Sequence, residues 1–161
     1  MTITNRILAV WTKTIDKLEH IPAPDVHLFA RLYIAQIFYL SGRTKATSPD
    51  GDGVWQAIIA FVTPSDTAVM LFEDEYRVPL VSPEIAAHLA LFAETLLPIS
   101  LIIGFATRIS ALGLLVMTVV IQFFVYPNLW HEHMIWVGVL LLLILKGAGR
   151  MSLDYRIRNN I

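Results

Sequence analysis

From Ile85 to Tyr126 the chain is almost unbroken apolar sequence, and only Glu94 and Arg108 carry formal charge within it. A turn signal at Gly104-Phe105-Ala106-Thr107 divides the stretch in two. Each half is roughly 20 residues, which at about 1.5 Å per residue crosses a hydrocarbon core of about 30 Å. Two further apolar segments, 26–42 and 129–146, read as shorter spans, the first carrying Arg31 and Gln36. The pattern predicts an all-α membrane protein. It is expected to be one domain over residues 1–161, a four-transmembrane-helix bundle with helices at 26–42, 84–104, 107–126 and 129–146.

Outside the spans the periodicity changes. Ile3, Ile7, Trp11, Ile15 and Leu18 recur at spacings of four and three, while Asn5, Arg6, Lys13, Asp16 and Lys17 lie largely off that stripe. This predicts a helix over 1–20 lying in the membrane interface, with Trp11 at headgroup level. A surface helix docked on a partner is the competing reading. The apolar run from Ile7 to Trp11 is too short for a signal peptide. Pro22 and Pro24 are expected to end the helix.

Residues 43–83 form a long connection between the first two spans. Asp50-Gly51-Asp52-Gly53 invites a calcium reading. A calcium loop starting at Asp50 would put Val54 and Phe61 where oxygen ligands are required, so that reading is rejected. Val54 to Val62, with Trp55, suits an interface. Pro64-Ser65-Asp66 can start a short helix toward Phe72, followed by the acidic cluster Glu73-Asp74-Glu75. Pro79 and Pro83 bracket the entry to the second span.

Composition supports this picture. The chain is 56% hydrophobic and 16% charged, against about 25% charged in ordinary soluble domains, and its mean hydropathy is +0.63. The net charge of −1 gives no reason to expect nucleic-acid binding. Without cysteine there is no disulfide, thiolate metal site or thiol redox chemistry in the chain itself. No hydrolase, kinase, P-loop or dinucleotide signature appears.

Basic residues suggest an orientation. With four spans, Arg6, Lys13, Lys17, Arg108, Lys146, Arg150, Arg156 and Arg158 share one side, and Arg43, Lys45 and Arg77 the other. The richer side is expected to be cytoplasmic and to hold both termini, as in a bacterial inner-membrane protein. The 43–83 loop and the His131-Glu132-His133 turn then face outward.

Candidate chemistry lies in polar groups at membrane depth. These cost at least about 2.5–3.5 kcal/mol each at a helix centre and so face partners inside. Glu94 is near the middle of its helix, and Pro98 four residues on frees the Glu94 carbonyl. A contact from Glu94 to Arg31 or Gln36 is expected, either as a clamp between helices or as a proton- or ligand-linked site. Arg108, Leu112, Leu115, Val119, Gln122 and Tyr126 fall on one helical stripe, which would place Gln122 and Tyr126 inside and Arg108 at the cytoplasmic mouth. The outer end collects Tyr39, Arg43, Lys45, His88, Gln122, Tyr126, His131 and His133. His88 and Glu94 lie roughly 120° apart around a helix, so a metal site would need His88 to meet His131 or His133 across helices. The same histidines could instead bind protons or a quinone headgroup, or sit hydrogen-bonded in the interface. Trp130, Trp136, Phe123, Phe124 and Tyr126 read first as an interfacial aromatic belt.

The runs ARLYIAQIFYLSGRTKA, LFEDEYRVP and AAHLALFAETLLPISLIIGFATRISALGL, followed by FVYP and GAGRMSLD, resemble the DoxX family over about residues 28–155. Arg31, Gly42, Lys45, Glu94, Gly104 and Arg108 match positions that recur in its loose pattern. The resemblance implies a small four-helix membrane protein with a loose tie to redox or oxidative-stress systems. Some relatives resemble the membrane component found beside small copper-binding peptides.

Three functions therefore stay open. The first is a redox-accessory protein, quinone- or proton-linked through Glu94 and Arg31, with a lipid-facing cleft. The second is a metal-handling protein using His88, His131 and His133. The third is a ligand-free assembly partner, docking a membrane or periplasmic protein on its acidic loop. The cofactor is open between a quinone and a metal ion.

Overall fold

The computed structural model describes residues 3–19, 23–48 and 53–160. Among them every regular element is helical: α1 (Ile3–Glu19), α2 (Ala23–Lys45), α3 (Val54–Val62), α4 (Asp66–Leu71), α5 (Pro83–Ile103), α6 (Thr107–Val120), α7 (Trp130–Lys146) and α8 (Leu153–Asn159). Two single π-helical turns, Phe72–Tyr76 and Ile121–Val125, continue α4 and α6. Pro24 falls in the first turn of α2, where a proline's missing N–H costs little. Pro22 and the Asp50-Gly51-Asp52 loop lie outside the described residues.

Element boundaries follow local chemistry. Ser65 caps α4 by accepting the Ala68 amide at 3.2 Å. α5 opens with Pro83 and stops where Gly104 turns left-handed at φ 71°. Together α5 and α6 with its π turn give two helices long and apolar enough to cross a membrane, Pro83–Ile103 with mean hydropathy 1.8 and Thr107–Val125 with 2.0. Only 44% and 28% of their apolar windows are buried. The exposed remainder, including Leu89, Phe92, Ile109 and Val116, suits contact with lipid better than water.

The core joins four helices. Ala30, Ile34, Ala35 and Phe38 of α2 meet Leu101 of α5, Ala111 and Leu114 of α6, and Leu140 and Leu143 of α7. α2 and α5 run antiparallel in a definite register. A Cβ added at Gly42 would sit 3.0 Å from the Glu94 Cβ and 3.1 Å from the Glu94 oxygen, so any side chain there would force the helices apart by a few tenths of an ångström. Eleven residues earlier on α2, the Arg31 guanidinium lies against Gly104, ten residues after Glu94 and just past the end of α5. Gly42→Leu should therefore push α2 off α5 and cost about 1–3 kcal/mol by overpacking. Thermal unfolding of the detergent-solubilised protein measures this, and an unchanged transition would count against the register.

The buried face of α6 is Thr107, Ser110, Ala111, Leu114 and Thr118, continuing to Gln122. This lies one residue behind the expected stripe, because Arg108, Leu112 and Val119 face outward. Gln122 is inside as expected, while Tyr126, expected beside it, is exposed.

Candidate functional site

Glu94 is 3% exposed and pairs with Lys45 at 2.8 Å between Oε2 and Nζ. Its Oε1 accepts from the Ser41 hydroxyl at 3.2 Å, and Lys45 also donates to that hydroxyl at 2.9 Å. The three side chains form a closed polar cluster. The expected contacts to Arg31 and Gln36 are not made, since Gln36 faces outward and Arg31 lies at another level. The reason is helix length. α2 continues through Lys45, so the middle of α5 packs against its C-terminal turns instead of its centre. The backbone holds Lys45 there, because its carbonyl accepts the Ser65 amide at 2.9 Å and Ala46 pairs with Pro64.

The cluster forms one end of a cavity of about 600 Å³ between α5, α6 and the two π turns. The rest of the lining is mostly apolar, including Phe72, Ala90, Gly113 and Met117. Leu89, Phe92 and Val116 also line it and are all exposed, so the cavity opens sideways between α5 and α6. Tyr76 and Tyr126 line it too. Their hydroxyls lie 3.3 Å apart, and their rings meet edge to face at 5.9 Å.

The π turns place this pair. In each, an amide bonds five residues back: Arg77 to the Phe72 carbonyl at 3.1 Å, Tyr126 to the Ile121 carbonyl at 2.8 Å. Such wide turns often mark functional positions in helices. Burial, then the bond to Tyr126, pushes the Tyr76 hydroxyl above its ordinary value, so it stays protonated and able to donate.

Arg31 and Arg108 belong to the opposite end of α5 and α6. Arg31 is fully buried and donates from Nη2 to the Met151 carbonyl at 2.6 Å. Asp154 accepts the Ala106 amide at 2.8 Å and the Thr107 amide at 2.9 Å, capping α6. The GAGRMSLD segment thus clamps the α5–α6 turn. Arg108 is exposed and reaches the Leu145 carbonyl at 3.5 Å. Sequence reading missed Ser41, Tyr76 and Asp154. The capping role of Asp154 had no local signal, because its partners lie 47 and 48 residues away.

The histidines do not converge. Among the described residues no group of three or more His, Asp or Glu could hold a metal ion. His88 bonds its own helix through the Glu84 carbonyl at 2.8 Å. His131 and His133 lie on α7, where neighbours two apart point to nearly opposite sides. His131 is exposed, while His133 is buried with Nδ1 at 2.6 Å from the Gln122 Oε1. Gln122 in turn donates to the Pro127 carbonyl at 2.8 Å. The His133–Gln122 pair fastens α7 to the end of α6 and lies off the Glu94 cavity.

The described residues are all-helical, with two helices long and apolar enough to cross a membrane and a polar cluster at a lateral cleft, the features of a helical membrane protein. The model of the DoxX family matches residues 26–127, and the chain belongs to that family. It is also similar to an uncharacterised protein of Haemophilus influenzae, 30% identical over 141 residues covering 81% of this chain and 82% of that one. No solved structure matches it.

Proposed function

We propose that the chain is a four-span bundle of α2, α5, α6 and α7 that binds the headgroup of a lipid-soluble quinone for a redox or oxidative-stress system. The Lys45–Glu94 pair, its carboxylate buried, at the end of a lateral apolar cleft carries this reading. A molecule dissolved in the bilayer can enter past Leu89, Phe92 and Val116 with its ring against Phe72 and Met117. Its carbonyl oxygens then meet donors, the Lys45 ammonium at one side and the Tyr76 or Tyr126 hydroxyl at the other. A pocket with few polar groups among many apolar ones is what such a ligand needs. Glu94 keeps the ammonium in place and makes the site able to exchange a proton. Electrons for the bound quinone would come from a partner protein of that redox system.

In this arrangement α1 lies in the interface on its exposed Ile3, Ile7 and Trp11. Both termini are cytoplasmic, following the excess of Lys and Arg at that end. The Glu73-Asp74-Glu75 turn, fully outward-facing, is the surface for a periplasmic partner.

The test is titration of the purified protein with a short-chain ubiquinone or menaquinone analogue, followed by tryptophan fluorescence. Binding should be saturable and fall at least about tenfold in Glu94→Gln and Tyr76→Phe, each removing a charge-assisted or neutral hydrogen bond. Absence of binding to the native protein, or unchanged binding in both variants, rejects the reading.

A further inference from the structure

A second cavity lies about 15 Å from Glu94 along α5, where α6 begins and α7 ends. Its volume is about 890 Å³. Arg108, Lys146, Arg150 and Arg158 line it, and Asp154 is the one carboxylate among its lining residues. That carboxylate is already engaged by the Ala106 and Thr107 amides. Among the described residues the salt bridge present is Lys45–Glu94, so none of the four cations has a carboxylate within bonding range. The Thr107 hydroxyl, fully buried and without a hydrogen-bond partner, lines the same cavity.

Four cations around one concavity repel one another, and an anion with several oxygens removes that cost. Arginine suits a phosphate because its planar fork donates two parallel bonds. The surroundings indicate where the phosphate comes from. Ile109, itself lining the cavity, is 73% exposed, and Leu145, next to Lys146, is 70% exposed. Apolar surface beside a basic recess matches a molecule with a charged head and hydrocarbon tails. A soluble phosphate ester would leave Ile109 and Leu145 uncovered.

We propose that this cavity binds the phosphate headgroup of an anionic phospholipid, with its acyl chains along Ile109 and Leu145. Arg150 and Arg158 supply most of the headgroup attraction, since Arg108 is turned toward the Leu145 carbonyl. Bound lipid joins the start of α6 to the end of α7 and to α8, and so stiffens the end that Asp154 caps. The proposal does not depend on what occupies the Glu94 cleft.

Purified full-length protein in neutral detergent is titrated with phosphatidylglycerol, with phosphatidylcholine of the same chains, and with glycerol phosphate, and bound lipid is counted by native mass spectrometry. Phosphatidylglycerol should be retained in preference to the other two. The Arg150→Gln/Arg158→Gln variant should weaken that binding about tenfold or more, at about 1 kcal/mol per basic residue. Arg150→Lys/Arg158→Lys keeps the charge and should retain most of it, which separates charge loss from misfolding. Should the double Gln variant not fold, Lys146→Gln is measured instead and should show a smaller loss in the same direction. Equal retention of the two lipids, or unchanged binding in the Gln variants, overturns the proposal. Glycerol phosphate binding as tightly as the lipid overturns it as well, assigning the cavity to soluble phosphate esters.

Discussion

Lys45→Met is expected to destabilise the protein by about 3–5 kcal/mol, the cost of leaving a buried carboxylate without its partner. Glu94 is 3% exposed and Lys45 12% exposed, so water replaces little of the lost interaction. Ser41 remains as a neutral donor to Oε1, and it compensates only in part. The double variant Lys45→Met/Glu94→Gln removes both charges and should recover most of the loss. Unfolding of the four proteins of this cycle in detergent gives the coupling directly. Additive losses would mean that the two side chains do not act as a pair. The same cycle separates structure from ligand binding: a double variant that folds well yet fails to bind a quinone analogue assigns the pair a role beyond clamping α2 to α5.

Asp154→Ala should cost about 3 kcal/mol or more. Loss of a helix cap accounts for about 0.5–2 kcal/mol of this. The remainder comes from Arg31, which is fully buried and lies within the field of the Asp154 carboxylate. Arg31 donates to the Met151 carbonyl, while its Nε and Nη1 have no hydrogen-bond partner among the described residues. Removing Asp154 leaves the guanidinium with less compensation and frees the α5–α6 turn from the C-terminal segment. Limited proteolysis should then cut near 147–152 faster than in the native protein. Asp154→Asn retains one oxygen acceptor and should lose less. Native-like proteolysis and unfolding in Asp154→Ala would show that Gly104 and Arg31 hold this turn without help.

Much of the fold was legible because membrane spans are written as long apolar runs. The Ile85–Tyr126 stretch reads as two long helices about a turn at Gly104, and the structure has α5 over Pro83–Ile103 and α6 over Thr107–Val120, extended to Val125 by its π turn. Ser65 and the prolines placed α4 and the start of α5 for equally local reasons. The polar partners were harder to read. Glu94 was identifiable as the buried charge, and Lys45 as a residue of interest, yet the two are 49 residues apart. Their meeting depends on how far α2 runs past residue 42. Arg43 and Lys45 made that end look like loop, although both stay helical.

The histidines went the other way. Whether His131 and His133 share a side depends on where α7 begins, and the helix starts at Trp130. Tyr126 and Gln122 were set by a π turn, a backbone irregularity without a sequence signal of its own. Tyr76 gained its role only because a second π turn, 50 residues away, faces the first.

By itself the sequence determined the class of protein, the two strongest spans, the family and the charge that needs a partner. Hydrophobic run length and charge cost in a bilayer are local properties of the chain. Tertiary structure alone decided that Lys45 and Ser41 are the partners of Glu94, that Arg31 clamps the opposite end, and that the histidines stay apart. Those outcomes rest on the helix register fixed by close contacts at Gly42 and Gly104. Such contacts join residues far apart in the chain, and periodicity within one helix carries no information about them.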